Sequence, residues 1–171
     1  LALRLVDPDA VWTTLVQEGV AFEKGAALVR IEGSARSVLM AERVMLNFIG
    51  PLSGVATLTA KFVAQAKGTS AKITCTRKTT PGFRALEKRA VRLGGGVNHR
   101  LGLDDAILIK DNHIAVCGGV KEAIRAGKAY AGHLVKIECE VTTLDQLKEA
   151  LAERPDVILL DTMGPELLEK A

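Results

Sequence analysis

Five side chains carry the chemistry that a first reading finds. Arg77 and Lys78 follow one apolar run, and Lys110 closes a second together with Asp111 and Asn112. Glu140 lies near the end of a third run, and Asp161 ends a fourth. Arg100, in the loop Gly94–Gly102, can join them. Three cations (Arg77, Lys78 and Lys110) would then stand beside two carboxylates. A guanidinium grips a carboxylate or phosphate in bidentate fashion, and an ammonium acts as a point charge. Plain anion binding gains nothing from Glu140 and Asp161. Carboxylates among cations fit a magnesium–phosphate site or sugar hydroxyls. The combination implies an enzyme handling a phosphorylated sugar together with a second anion. The competing reading is that charges at strand ends are ordinary solvated residues.

These residues need elements to present them. Strand patterns cover Lys72–Thr76, Ile107–Lys110, Val135–Val141 and Val157–Asp161. Helical patterns follow over Phe83–Leu93, Val120–Tyr130 and Leu144–Glu153, and from Pro165 onward. Such alternation implies a parallel sheet with helices packed outside it. Active sites of α/β barrels gather at the carboxyl ends of several strands, whereas doubly wound sheets use mainly one switch point. A charged group at the end of every strand favours the barrel. Before residue 69 the pattern differs. Val20–Glu23 and Ala27–Glu32, bounded by glycines, read as a hairpin or meander. Ser34 reads as the N-cap of a helix from Ala35 to Phe48, Gly50-Pro51 breaks it, and a second helix follows from Leu52 to Ala66. The expected fold is α/β. A partial N-terminal α/β (α+β) domain covers 1–68, and the first four β/α units of a (β/α) barrel cover 69–171.

Composition bounds the function classes. The chain has 171 residues, 48% hydrophobic and 25% charged, which excludes disorder as the main state. No apolar stretch is expected to approach the roughly 18 residues of a membrane span, and no signal peptide is apparent. The three cysteines form no C-x-x-C pair, so reduced thiols in a cytoplasmic protein are expected. Cys75 and Cys139 read as core thiols on buried strands. Net charge is +3, but Thr76–Lys110 holds eight basic against three acidic residues, a surplus of five. The remainder is therefore net −2. Concentrated positive charge without an aromatic platform points to a small polyanion rather than nucleic acid. Gly94 reads as a helix C-cap with a flexible loop behind it that presents Asn98-His99-Arg100. Arg84, Lys88 and Arg92 read as a solvated helix stripe. His113 and His133 read as structural or exposed.

Several segments resemble those of the quinolinate phosphoribosyltransferase family. They are Thr76-Arg77-Lys78-Thr79-Thr80-Pro81-Gly82, Gly94-Gly95-Gly96-Val97-Asn98-His99-Arg100 and Leu108-Ile109-Lys110-Asp111-Asn112-His113. Supporting segments are Glu42–Asn47, Leu52–Thr57, Lys136–Val141 and Leu159–Asp161. The resemblance covers nearly the whole chain in register, and it marks the chain as apparently cut at both ends. It implies phosphoribosyl transfer from phosphoribosyl pyrophosphate to quinolinate, with magnesium and with decarboxylation, by a homodimer. It implies that Thr76, Arg77, Lys78, His99, Arg100 and Lys110 bind quinolinate. Glu140 and Asp161 would face the ribose and magnesium, and Lys110, Glu140 and Asp161 would be catalytic. Arg43 would reach the partner's site. Glu138 shares a strand face with Glu140, so Glu138 or both could serve, and the motif register favours Glu140. Cys75 and Thr162 depart from the Asp and Asn often found there in the family. Rival readings are a related transferase of the superfamily, including a paralogue associated with molybdate transport, and a non-catalytic anion-binding protein.

Overall fold

In the computed structural model, which describes residues 2–171, the elements run in a simple order. A short helix α1 (Ala2–Val6) precedes strands β1 (Val11–Thr14) and β2 (Val29–Glu32) and the long helix α2 (Ala35–Gln65). Helix α3 (Arg84–Leu93) leads to β3 (Ala106–Ile109), α4 (Asp111–Cys117) and α5 (Val120–Tyr130). Then come β4 (Lys136–Val141), α6 (Leu144–Glu153), β5 (Val157–Leu160) and α7 (Pro165–Leu168). The chain divides into two compact units, Leu1–His99 and Arg100–Ala171.

The first unit departs from the sequence reading in three places. The hairpin partner of β2 is β1, paired antiparallel with Trp12 opposite Ile31. Residues 20–23 form no strand. Period-two patterning cannot name the partner of a short strand, and here the glycine spacing misled. Second, Gly50-Pro51 does not break the helix: α2 runs unbroken through Pro51. A helical proline forfeits one backbone bond at roughly 3 kcal/mol. Burial of Ala41 and Thr59, and packing of α2 against α1 and α3, offset that cost. As one helix of 31 residues, α2 is long and apolar enough by length and composition to cross a membrane, contrary to the expectation that no stretch is. Val44–Ala60 carries no charged residue. Third, the strand expected over Lys72–Thr76 is a single parallel bridge, Thr74 to Val97.

That bridge explains the glycine run. The Gly94 backbone lies so close to α2 that a Cβ there would sit 2.4 Å from Ala56 O and 2.7 Å from Thr59 Cβ. A Cβ at Gly96 would meet Val91 Cγ1 at 2.8 Å and Thr59 Cγ2 at 2.9 Å. Gly95 has φ +87°, a left-handed conformation that closes α3. Gly94 is the helix C-cap as expected. The loop behind it is packed rather than flexible, and it delivers Val97 to its bridge.

The second unit follows the expected alternation. Its sheet is parallel in the order β3-β4-β5. Ile137, Cys139 and Val141 on β4 are buried with Ile109, Val120, Ile124, Leu147 and Ala150 in one core. Alternate residues therefore face the helices, and Glu138 and Glu140 share the opposite face. Burial, with help from Glu140, pushes the Cys139 thiol up to about 11, so it remains a protonated core group.

Candidate active site

Strand ends position the second unit's site. In the parallel register Ile109 pairs with Cys139, so the following residues, Lys110 and Glu140, lie side by side at the carboxyl edge. Lys110 Nζ donates to Glu140 Oε2 at 2.7 Å. The glutamate side chain is only 12% exposed and the lysine 44%. Lys110 is also the N-cap of α4, a helix the sequence reading missed. Its backbone N–H donates to His113 Nδ1 at 3.0 Å, so His113 fixes the turn that aims Lys110. Asp161 is the next carboxylate along the edge. Its N–H donates to Val141 O at 2.9 Å, extending the β4–β5 ladder by one rung. Thr162 behind it has φ +55°, a left-handed backbone that a β-branched residue adopts at a cost.

Arg100 is held differently from expectation. Its Nη1 donates to Ala106 O at 2.9 Å, at the amino end of β3. Four residues separate that point from Lys110, roughly 13 Å of strand. Asp105 builds the turn beside it, accepting from Leu101 N at 2.6 Å and Gly102 N at 3.4 Å. The Leu101 N–H, with Gly102 and the Arg100 charge adding to it, holds the Asp105 carboxyl below its usual value.

In the first unit, Thr76, Arg77 and Lys78 sit on a chain of turns after the Thr74 bridge. Thr76 Oγ1 accepts from Lys78 N at 3.1 Å, and Arg77 O accepts from Thr79 N at 2.9 Å. Arg84 Nε donates to Thr79 Oγ1 at 3.1 Å, and Thr80 N reaches the Glu87 carboxylate. Helix α3 therefore braces the turn from two positions. Thr76 and Lys78 are exposed, while Arg77 is half-buried. Arg77 Nε is buried and meets no acceptor among the described residues. A buried guanidinium N–H left so is costly, and an incoming carboxylate satisfies it. His99 is half-buried beyond the Val97 bridge.

Two expectations need correction. Lys88 is not on a solvated stripe: it is 3% exposed. Its Nζ donates to His99 O at 2.7 Å and to Cys75 Sγ at 2.9 Å. Cys75 is accordingly a half-buried acceptor outside any strand, not a core thiol. An i, i+4, i+8 charge pattern says which residues share a face, not whether a neighbour covers it. Arg43 does stand exposed on α2, among the exposed apolar residues Leu39, Met40, Val44 and Leu46.

The carboxylates do not by themselves make a resident metal site. No group of three or more His, Cys, Asp or Glu side chains that could hold an ion occurs among the described residues. Glu140 is already engaged by Lys110. The apolar groove near the end of α2, about 380 Å³ and lined by Val63, Ile73 and Val97 among others, contains none of the candidate site residues.

Comparison with known proteins decides the family. Residues 55–171 match the model of the quinolinate phosphoribosyl transferase C-terminal domain, and residues 1–53 match that of the N-terminal domain. The chain belongs to the quinolinate phosphoribosyl transferase family. Among relatives of that family, the nicotinate-nucleotide pyrophosphorylase [carboxylating] of Mycobacterium leprae is 53% identical over 146 residues, covering 85% of this chain and 51% of the relative. The probable enzyme of that name from Bacillus subtilis is 49% identical, covering 88% of this chain and 52% of its own length. The chain thus spans about half the length of the curated relatives it matches. The crystal structure of NadC from Streptococcus pyogenes superposes with a TM-score of 0.91 at 43% identity, over 98% of this chain and 60% of that one. A nicotinate-nucleotide pyrophosphorylase from Ehrlichia chaffeensis superposes at 0.94 with 38% identity, over 99% and 61%. The fold is the family's mixed α/β arrangement, a small N-terminal domain joined to parallel-sheet units of the barrel domain.

Proposed function

We propose that this protein transfers the phosphoribosyl group of phosphoribosyl pyrophosphate to the ring nitrogen of quinolinate and releases carbon dioxide. The relatives carry the name of that pyrophosphorylase activity, and the site residues here suit it. The observation that carries the reading is Arg77: a half-buried guanidinium whose Nε has no acceptor among the described residues, in a turn braced by α3. The N–C1′ bond forms as the C1′–O bond to pyrophosphate breaks, through an oxocarbenium-like transition state. The bond from ring carbon 2 to its carboxylate then breaks, and a proton takes that position, giving nicotinate mononucleotide. Negative charge developing on the ring carbon is stabilised by fixed cations that need not reorganise.

In this reading Thr76, Arg77, Lys78, His99, Arg100 and Lys110 hold quinolinate. Glu140 and Asp161 face the ribose and the magnesium carried by phosphoribosyl pyrophosphate, and Lys110, Glu140 and Asp161 are the catalytic group. Magnesium enters bound to the pyrophosphate rather than to a resident cluster of this chain. We also propose a barrel domain beginning at residue 69, a cytoplasmic homodimer, and Arg43 completing the partner's site. The exposed apolar residues around Arg43, at helical spacing on α2, support that last part.

The test is direct. The complete gene product is assayed with quinolinate, phosphoribosyl pyrophosphate and magnesium, following nicotinate mononucleotide. Product from quinolinate, and none with nicotinate as acceptor, is expected. A folded dimer that forms none overturns the reading and favours another anion as its ligand.

A further inference from the structure

We infer that Lys88 is a positioning residue: a buried ammonium that clamps together the two segments Thr76–Lys78 and Asn98–Arg100, which carry proposed substrate cations. The inference rests on the reading above, in which Thr76–Lys78 and Asn98–Arg100 hold quinolinate. Lys88 and Thr59 are the buried polar residues among those described, and Lys88 alone of the two is charged. Helix α3 has exposed positions for cations. Arg89 is exposed and ion-paired with Glu18, and Arg92 is exposed as well. Lys88 instead is one of the three buried residues of α3, with Ala90 and Val91, where an apolar side chain would pack without desolvating a charge.

What the ammonium touches gives the reason. One N–H goes to His99 O at 2.7 Å and another to Cys75 Sγ at 2.9 Å. Cys75 Sγ in turn lies 3.5 Å from Asn98 Oδ1. The segments themselves meet through one β-bridge, with Val97 N on Ile73 O at 2.9 Å and Cys75 N on Val97 O at 3.3 Å. A one-rung ladder is a weak tie, because few bonds oppose the entropy of two loops. Beside the long Cys75–Asn98 contact, Lys88 adds a further tie at the far end. Each atom it holds belongs to a residue one or two positions before a proposed substrate cation: Cys75 before Arg77, His99 before Arg100. Displacing such groups by an ångström weakens binding strongly even though Lys88 itself touches no substrate.

Lys88→Met keeps the length of the side chain and removes its donors. Two readouts are taken on the complete gene product. The first is amide hydrogen exchange, which needs no ligand. Exchange across residues 96–102 is expected to rise at least tenfold, with residues 120–150 unchanged. Unchanged exchange in 96–102 overturns the clamp whatever the ligand proves to be. The second is calorimetric titration with quinolinate, with the KM for phosphoribosyl pyrophosphate alongside. A tenfold or greater rise in the quinolinate Kd, with that KM within twofold, is expected; a general loss of structure would move both. Lys88→Arg, which keeps charge and donors, is expected within threefold of wild type. A folded Lys88→Met protein that binds quinolinate like wild type overturns the positioning role. If Lys88→Met does not fold, Cys75→Ala removes one of the two acceptors. It is expected to raise both the 96–102 exchange and the quinolinate Kd twofold to fivefold, and no change in either overturns the inference. Wild-type protein that fails to bind quinolinate sinks the functional reading instead, and the exchange result still decides the clamp.

Discussion

Two lysines define the two units by contrast. Lys110, in the second unit, donates at 2.7 Å to a carboxylate at the edge of a parallel sheet. Lys88, in the first, donates at the same distance to a backbone carbonyl, from inside a packed helix. The sequence advertises the first and hides the second. A residue that follows an apolar run must emerge at a strand end, whatever covers the sheet. A residue in mid-helix is exposed or buried according to what packs on it: α3 is covered at Lys88, while Arg92 on the same stripe stays exposed. The lesson is that a cation in the chemistry-bearing part of a fold can act by touching ligand or by holding the backbone that does.

The largest effects should come from the cations read as touching substrate. Arg77→Ala and Lys110→Ala are each expected to weaken quinolinate binding about 100-fold, or ~3 kcal/mol, as for truncating one partner of a desolvated charged contact. Arg92→Ala, an exposed cation on α3, should stay within twofold. Titration calorimetry reads all three, and equal losses would erase the distinction between site and surface.

Next in size is the packing that delivers the first unit's loop. Gly94→Ala places a methyl 2.4 Å from Ala56 O. That overlap with backbone should cost about 2 kcal/mol and lower the melting temperature by roughly 5 °C. Gly132→Ala, where nothing lies within 4 Å of the new Cβ, is the control and should leave it unchanged. Equal melting temperatures would mean that α2 and the glycine run are not in the described contact.

A smaller effect of opposite sign is expected in the second unit. Thr162 adopts φ +55°, which Asn tolerates better than a β-branched residue. Thr162→Asn should raise the melting temperature by about 3 °C, or ~1 kcal/mol, with no change at a neighbouring exposed control such as Glu166→Gln. A fall would show that the Thr162 side chain contributes more than its backbone strain costs.

The smallest effect concerns Asp105. Hydrogen bonds from Leu101 and Gly102 hold its carboxyl below the usual value. The folded form therefore binds this proton less readily than the unfolded chain. Its stabilisation is fully present above the ordinary Asp value and is lost as pH falls through the lowered folded value. Urea unfolding of wild type and Asp105→Asn should differ at pH 6, and the gap should narrow as pH falls below the ordinary Asp value. The gap should be about 1 kcal/mol or less, because the group is exposed. A gap that does not change with pH would assign the effect to shape rather than charge.

Much of the second unit was legible in the sequence. Leu144–Glu153 and Val120–Tyr130 are helices with the expected bounds, and β3, β4 and β5 fall within a residue or two of their apolar runs. Glu138 and Glu140 share a face as period two requires. Less of the first unit was. Local breakers misplaced the hairpin partner and cut α2 at Pro51, because tertiary packing overrides a single unfavourable residue. The strand at Lys72–Thr76 shrank to one bridge, since its partner Val97 lies in a segment with no apolar run to announce it.

The sequence by itself determined the order of residue types, and hence that cations and carboxylates would recur at the ends of apolar runs. It determined the alternation that sends Cys139 to the core and Glu140 away from it. Only the tertiary structure decided which of these groups meet. It paired Lys110 with Glu140, sent Arg100 to the amino end of β3, and buried Lys88 against His99 O and Cys75 Sγ. The physical reason is range. Periodicity and turn chemistry act over a few residues, whereas the cost of a desolvated charge is fixed by atoms that arrive from more than ten residues away.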